Sequence, residues 1–173
     1  DATDFSVDIA IIGQLNDRSD ILYVEITVEA DGRKEHYALP LAIAWEDAQS
    51  SPFEAPLALA RVRKGPRVGL MTDAFAVPAF AHDGLNGLRE HRQIRIGKCG
   101  LDFRPTPAIS GLAIAPNALA DWPGAEQTNS TVILDRSAVI KLLRRLTPGV
   151  HPEAEMAREL TSRGFTGTPT FYG

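Results

Sequence analysis

The side chains best suited to chemistry crowd into the last third of the chain. The loop Glu126-Gln127-Thr128-Asn129-Ser130-Thr131 offers amide and hydroxyl donors that suit phosphate oxygens. An apolar stretch carrying Lys141 follows, then a helical pattern with Glu153 and Glu155 in its first turn. Loop, strand lysine and helix glutamate is the order in which a kinase-like nucleotide lobe is built: the loop covers phosphates, the lysine meets them, and the glutamate holds the lysine. Order and spacing alone leave a second reading open, in which a polar run opens a hairpin with only backbone duties and the lysine is solvated. The loop has neither the glycine-rich kinase fingerprint nor a Walker A pattern.

Other constellations carry less. His151-Pro152-Glu153 starts like a zinc deaminase signature, but no P-C-x-x-C follows, and Cys99, the one cysteine, lies upstream. No G-x-S-x-G elbow supports a nucleophilic hydrolase. Arg144-Arg145 offers phosphate contacts or, more simply, a solvated strand edge. Trp45, Trp122 and Tyr37 offer a sugar-stacking platform or plain core.

Composition narrows the classes further. With 18 Lys+Arg against 22 Asp+Glu, the net charge of −4 gives no basic field for a nucleic-acid backbone. A single cysteine excludes an intrachain disulfide framework, deprives the 4 histidines of thiol partners for zinc, and suits a reducing, cytoplasmic setting. No apolar run approaches the roughly 20 residues that span a bilayer, and the acidic start Asp1-Ala2-Thr3-Asp4 is unlike a signal peptide. Neither nucleic acid nor membrane is expected as a partner. The missing initiator Met and the apolar finish at Phe171-Tyr172-Gly173 read as ends cut from something longer.

The elements that must position the lysine follow from hydrophobic periodicity. Period-two alternation predicts strands over residues 5 to 12, 21 to 30 and 35 to 45, with Asp31-Gly32 as a tight turn and Pro40 forcing an edge or a bulge. A hairpin about Lys64-Gly65-Pro66 spans residues 57 to 74, one helix, interrupted by Pro78, Gly84 and Gly87, covers 73 to 91, and a further strand covers 93 to 104. The Pro-rich stretch around Pro105, Pro107, Pro116 and Pro123 reads as a connector with few core positions. Beyond it, residues 130 to 134 and 137 to 143 form a hairpin about Asp135-Arg136, and a helix runs from Pro152 to about Arg163, stopping at Gly164.

The run EQTNSTVILDRSAVIKLLRRLTPGVHPEAEMARELTSRGFTGTP, residues 126 to 169, resembles the maltokinase family, where it reads close to E-Q-S-N-T-S, K-L-x-R-R-L, P-G-x-N-P-E-x-E and L-T-x-R-G-F. LPLAIAW (39 to 45) and LARVRKGPRVGLMTDAF (59 to 75) look like that family's N-terminal cap. Thr128 stands where the family commonly has Ser, and His151 where it has Asn. The resemblance implies an α+β chain: an antiparallel β cap subdomain with one helix over residues 1–110, then the truncated start of a kinase-like, aminoglycoside-phosphotransferase-like N-lobe over 111–173. It implies ATP and magnesium as cofactors, maltose as acceptor, and a trehalose synthase as a possible fused or associated partner. By the same resemblance Lys141, Glu155, Gln127, Thr128, Asn129, Ser130 and Thr131 serve the nucleotide, with Glu155 preferred over Glu153 as the lysine's partner. The resemblance also implies that no catalytic or metal-binding residue falls within the 173 residues, the family's catalytic Asp and magnesium ligands being expected beyond Gly173. A noncatalytic β-rich interaction module, or a carbohydrate-binding module, attached to a trehalose synthase is the alternative.

Overall fold

The computed structural model describes residues 5–16, 20–46, 56–97, 99–123 and 129–173. The alternating segments become strands, and every pairing among the described residues is antiparallel. β1 (Phe5–Gln14) pairs with β2 (Ile21–Ala30), and β2 turns into β3 (Arg33–Ala38). Asp31 and Gly32 make that turn at φ 50° and 72°, the left-handed pair that matches the twist of a two-residue hairpin.

The long strand expected over 35 to 45 is divided. Leu39-Pro40 separates β3 from β4 (Leu41–Trp45), and both halves pair with β2, as in Glu25↔Ala38 and Leu22↔Leu41. Pro40 is buried, so it breaks the ladder inside the sheet and marks no edge. Its carbonyl accepts the Ala74 N–H at 2.8 Å, which uses the break to seat the next element. β5 (Ala58–Lys64) and β6 (Arg67–Asp73) form the expected hairpin, and β6 lies on β4.

Asp73 then caps a 3-10 turn, Ala74–Ala76, by accepting the Phe75 N–H. Pro78 opens α1 (Pro78–Arg89) at a position where a missing N–H costs no hydrogen bond, and the helix continues through Gly84 and Gly87. Residues 93 to 104 are a small hairpin, β7 (Gln93–Ile96) and β8 (Cys99–Asp102), where one strand was expected. Gly97 at φ 57° supplies the turn.

The Pro-rich stretch holds a 3-10 turn at Pro107–Gly111 and β9 (Ala120–Asp121). It is more than a connector: Ile114 and Ala118 are buried, and Trp122 Nε1 donates to the Phe75 carbonyl at 2.7 Å. β10 (Asn129–Leu134) and β11 (Ala138–Leu143) turn through Asp135 and Arg136 at φ 50° and 54°, giving a three-stranded sheet in the order β11-β10-β9. The short β12 (Arg145–Leu146) pairs with β3 and completes a seven-stranded sheet ordered β12-β3-β2-β4-β6-β5, with β1 also on β2. α2 (Pro152–Ser162) ends before Gly164 at φ 68°.

One hydrophobic cluster joins Leu15, just past β1, and Ile21 and Ala42 of the larger sheet with Phe80 and Leu85 of α1 and with Val132, Leu134 and Ala138 of the second hairpin. The class is therefore α+β: mostly β, with antiparallel sheets and two α-helices among the described residues. No helix among them is long and apolar enough to cross a membrane.

The hairpin's two faces should answer differently to truncation. Leu134→Ala, at a position 0% exposed, is expected to cost roughly 3–5 kcal/mol in urea unfolding. Val139→Ala, 62% exposed on the other face, should cost less than about 0.5 kcal/mol. Equal losses would mean that the faces are wrongly assigned.

Candidate functional site

A strand's alternation decides where each functional side chain goes. Along β10 and β11 the pairs Val132↔Ile140 and Leu134↔Ala138 share the face that packs on the core. The register places Ser130↔Leu142 on this inward face too, whereas Thr131↔Lys141, Asn129↔Leu143 and Ile133↔Val139 share the outward one. Lys141 is thus presented away from the core, directly across from Thr131.

α2 brings a carboxylate to it. His151 caps the helix, its Nδ1 accepting the Glu153 N–H at 3.3 Å, and Pro152 occupies the first turn. Glu153 then lies where the helix dipole favours negative charge. Lys141 Nζ donates to both of its carboxylate oxygens, at 2.8 and 2.9 Å. Of the two helix glutamates it is therefore Glu153, and not the preferred Glu155, that meets the lysine: the one nearer the helix start reaches back to the strand. With the two side chains 34% and 56% exposed, such a pair contributes only about 0.5 kcal/mol to stability.

Asn129 and Thr131 share the lysine's face, but Ser130 does not join them. Its Oγ accepts from Arg144 Nε at 2.9 Å and from Nη2 at 2.8 Å on the inward side. Gln127 and Thr128 lie outside the described residues. Among the described residues, no group of three or more His, Cys, Asp or Glu gathers as metal ligands would.

The solvated edge proposed for Arg144-Arg145 is half wrong. Arg145 does face outward, pairing with Glu35 across β12 and β3. Arg144 continues the inward series 138, 140, 142 and is drawn into the seam between the hairpin and the larger sheet. Its Nη2 meets Asp73 Oδ2 at 2.6 Å, with the two side chains only 21% and 15% exposed. The guanidinium also lies 5.7 Å from the Phe75 ring centroid, a cation–π distance, while Nη1 is buried without a hydrogen-bond partner. The even-numbered alternation from Ala138 was the signal that could have turned Arg144 inward on sequence alone.

Tyr23, near this seam, is pushed up to about 12, first by burial, then by the Glu25 charge, with Arg144 opposing. On the far side of β3, the Tyr37 phenol donates to Glu35, holding that carboxyl below its usual range with help from Arg145 and raising the phenol in turn. The proposed aromatic platform is dispersed. Trp45 is buried with Nε1 donating to Asp20, Trp122 is bonded to the Phe75 carbonyl, and Tyr37 is engaged by Glu35. No protein-family model matches the chain.

Two expectations follow. Asp73→Asn strands a partly buried guanidinium and should cost roughly 2–4 kcal/mol by urea unfolding, whereas Glu153→Gln should change stability by less than about 0.5 kcal/mol. Tyr23 should ionise near pH 12, above the ordinary tyrosine value, in an ultraviolet titration. Because its folded pKa is raised above the ordinary 10.0, the stability it supplies is full below about pH 10 and is lost as pH rises toward 12. Tyr23→Phe should remove that part of the alkaline destabilisation, and an unchanged alkaline limb would show that Tyr23 is not its source.

Proposed function

We propose that this chain is the front part of a maltokinase, which transfers the γ-phosphoryl group of ATP to the anomeric hydroxyl of maltose to give maltose 1-phosphate. In this reading residues 1–110 are the cap subdomain and residues 111–173 begin the kinase-like nucleotide lobe. The observation that carries it is the contact of Lys141 on β11 with Glu153 at the start of α2, both carboxylate oxygens within 2.9 Å. A pair this exposed adds little stability, yet it fixes a flexible ammonium in one place, as phosphate recognition requires. The resemblance of residues 126 to 169 to the maltokinase family supplies the substrate.

The chain's own residues then have separable parts. Lys141 offers a compact positive charge where phosphate oxygens are to sit, Glu153 orients it, and the Thr131 hydroxyl shares that face. ATP supplies the phosphoryl group, whose bond to the leaving ADP breaks as the sugar oxygen attacks and gives up its proton. The described residues gather no carboxylate cluster for magnesium, and we assign neither the metal nor the proton acceptor to them. A cytoplasmic protein of α-glucan and trehalose metabolism follows from this reading.

A noncatalytic interaction module is the second reading, and one observation favours it. Phe5, Val7, Ile9 and Ile11 leave an apolar stripe exposed along β1. The sheet edge expected near Pro40 cannot serve this purpose, since Pro40 is buried.

In the longer protein, with ATP, magnesium and maltose, Lys141→Ala should lower turnover on the order of a hundredfold while leaving the fold intact. Lys141→Arg should not restore it, because a planar guanidinium does not replace a compact ammonium. Glu153→Gln should lower turnover less, by loosening the lysine without removing its charge. The 173-residue chain alone should show no magnesium-dependent turnover. Near-normal activity of Lys141→Ala would defeat the site assignment, and absence of maltose 1-phosphate from the unaltered longer protein would defeat the function.

A further inference from the structure

The Lys141 hairpin is held unevenly. Its turn end is secured by the core packing of Val132, Leu134 and Ala138, by the β9 ladder, and by the Asp135 N–H donating to the Leu119 carbonyl at 2.9 Å. Its open end, where Lys141 stands, has different attachments. On the β11 side the Ala38 N–H donates to the Arg144 carbonyl at 2.8 Å, and β12 pairs with β3. On the β10 side, Ser130 meets the guanidinium of Arg144, which is anchored on Asp73 at the end of β6. Asp73 is itself fixed by accepting the Phe75 N–H at 2.9 Å, and the Phe75 carbonyl is held by Trp122.

From this geometry we infer that Arg144 is a positioning residue: its bonds to Asp73 and Ser130 lock the open end of the β10-β11 hairpin to the larger sheet and so set where Lys141 is presented on the opposite face. The fork explains the residue type. Two N–H groups of one planar guanidinium converge on a single hydroxyl while the same group reaches a carboxylate, a geometry that a lysine ammonium does not reproduce. Because Ser130 and Lys141 occupy opposite faces, Arg144 acts on the phosphate side only through the strands. The functional consequence rests on the nucleotide reading of Lys141; the mechanical link does not.

The test uses Ser130→Ala, Ser130→Thr, Arg144→Lys and the double variant Ser130→Ala/Arg144→Lys. Ser130→Ala removes only a hydroxyl, and Arg144→Lys keeps the charge beside Asp73, so each should fold. Hydrogen exchange of the 173-residue chain should quicken by roughly tenfold at β10 amides near Ser130 in both single variants, with β2, β4 and β6 unchanged. The double variant should be no worse than Arg144→Lys alone, since Ser130→Ala removes only bonds that Arg144→Lys has already removed. Ser130→Thr, which keeps the hydroxyl, should restore protection. Unchanged exchange at β10, acceleration spread across the larger sheet, or additive losses would overturn the link. If Arg144→Lys does not fold, the contrast of Ser130→Ala with Ser130→Thr decides alone. In the longer protein, Ser130→Ala should raise KM for ATP severalfold with KM for maltose unchanged, and Ser130→Thr should reverse it. An unchanged KM for ATP in an active enzyme would remove the positioning role. Localised exchange together with a wild-type protein that transfers no phosphoryl group would leave the link standing and remove the kinase reading.

Discussion

The contact on which the arrangement depends is the ion pair between Arg144 and Asp73. A guanidinium drawn from water at a seam between sheets is costly unless a charge and hydrogen bonds meet it, and here a carboxylate, a serine hydroxyl and a phenylalanine ring do so. The three partners come from the end of β6, the turn that follows it directly, and β10, so satisfying one side chain fixes two segments remote in sequence against each other. The Nη1 amino group remains buried and unpaired, and that residual cost is set against this placement. Asp73 serves twice, one oxygen on Arg144 and the other capping the Ala74–Ala76 turn, so the pair also determines where Phe75 and then α1 begin.

β2 is the complementary constraint. It pairs with β1 and with both halves of the strand that Pro40 divides, and the Pro40 carbonyl at that break receives the Ala74 N–H. A proline in the middle of a ladder ordinarily weakens it, because it has no N–H to give. Here the interruption is where the larger sheet takes hold of the element that follows Asp73, so the break in β3-β4 and the Arg144 seam converge on the same short turn.

Local chemistry was legible in the sequence wherever it acts within a few residues. Asp31-Gly32 and Asp135-Arg136 announce tight turns, Pro152 and Gly164 bracket α2, and alternation locates the strands. What escaped depends on partners far along the chain. The burial of Ile114 and Ala118 is invisible from a Pro-rich stretch, since proline density reports backbone shape and not what packs beneath it. Pro40 reads as an edge or a bulge because sequence shows the missing N–H and not the neighbours on either side. Gly97 breaks an alternation that otherwise reads as one strand, because its φ of 57° turns the chain back. The choice between Glu153 and Glu155 needed the angle at which α2 returns to β11, a quantity set by the loop Thr147-Pro148-Gly149 and not by helical periodicity.

The hairpin thus carries two ion pairs of opposite character on its two faces. Arg144–Asp73 is shielded, so breaking it should cost stability, and its partners are rigid backbone-anchored groups. Lys141–Glu153 is more open to water, so it adds little to stability. A strand is well suited to this division because successive side chains point to opposite faces at fixed spacing: whatever holds residue 144 in the seam also fixes the height and angle of residue 141 on the far side. If Lys141 meets phosphate as proposed, its charge must stay hydrated enough to be reached and ordered enough to be useful, and those demands conflict when one contact has to meet both. On the proposed reading the two demands are divided between the hairpin's faces: order from the inward Arg144, just past the end of β11, and exposure from the outward Lys141.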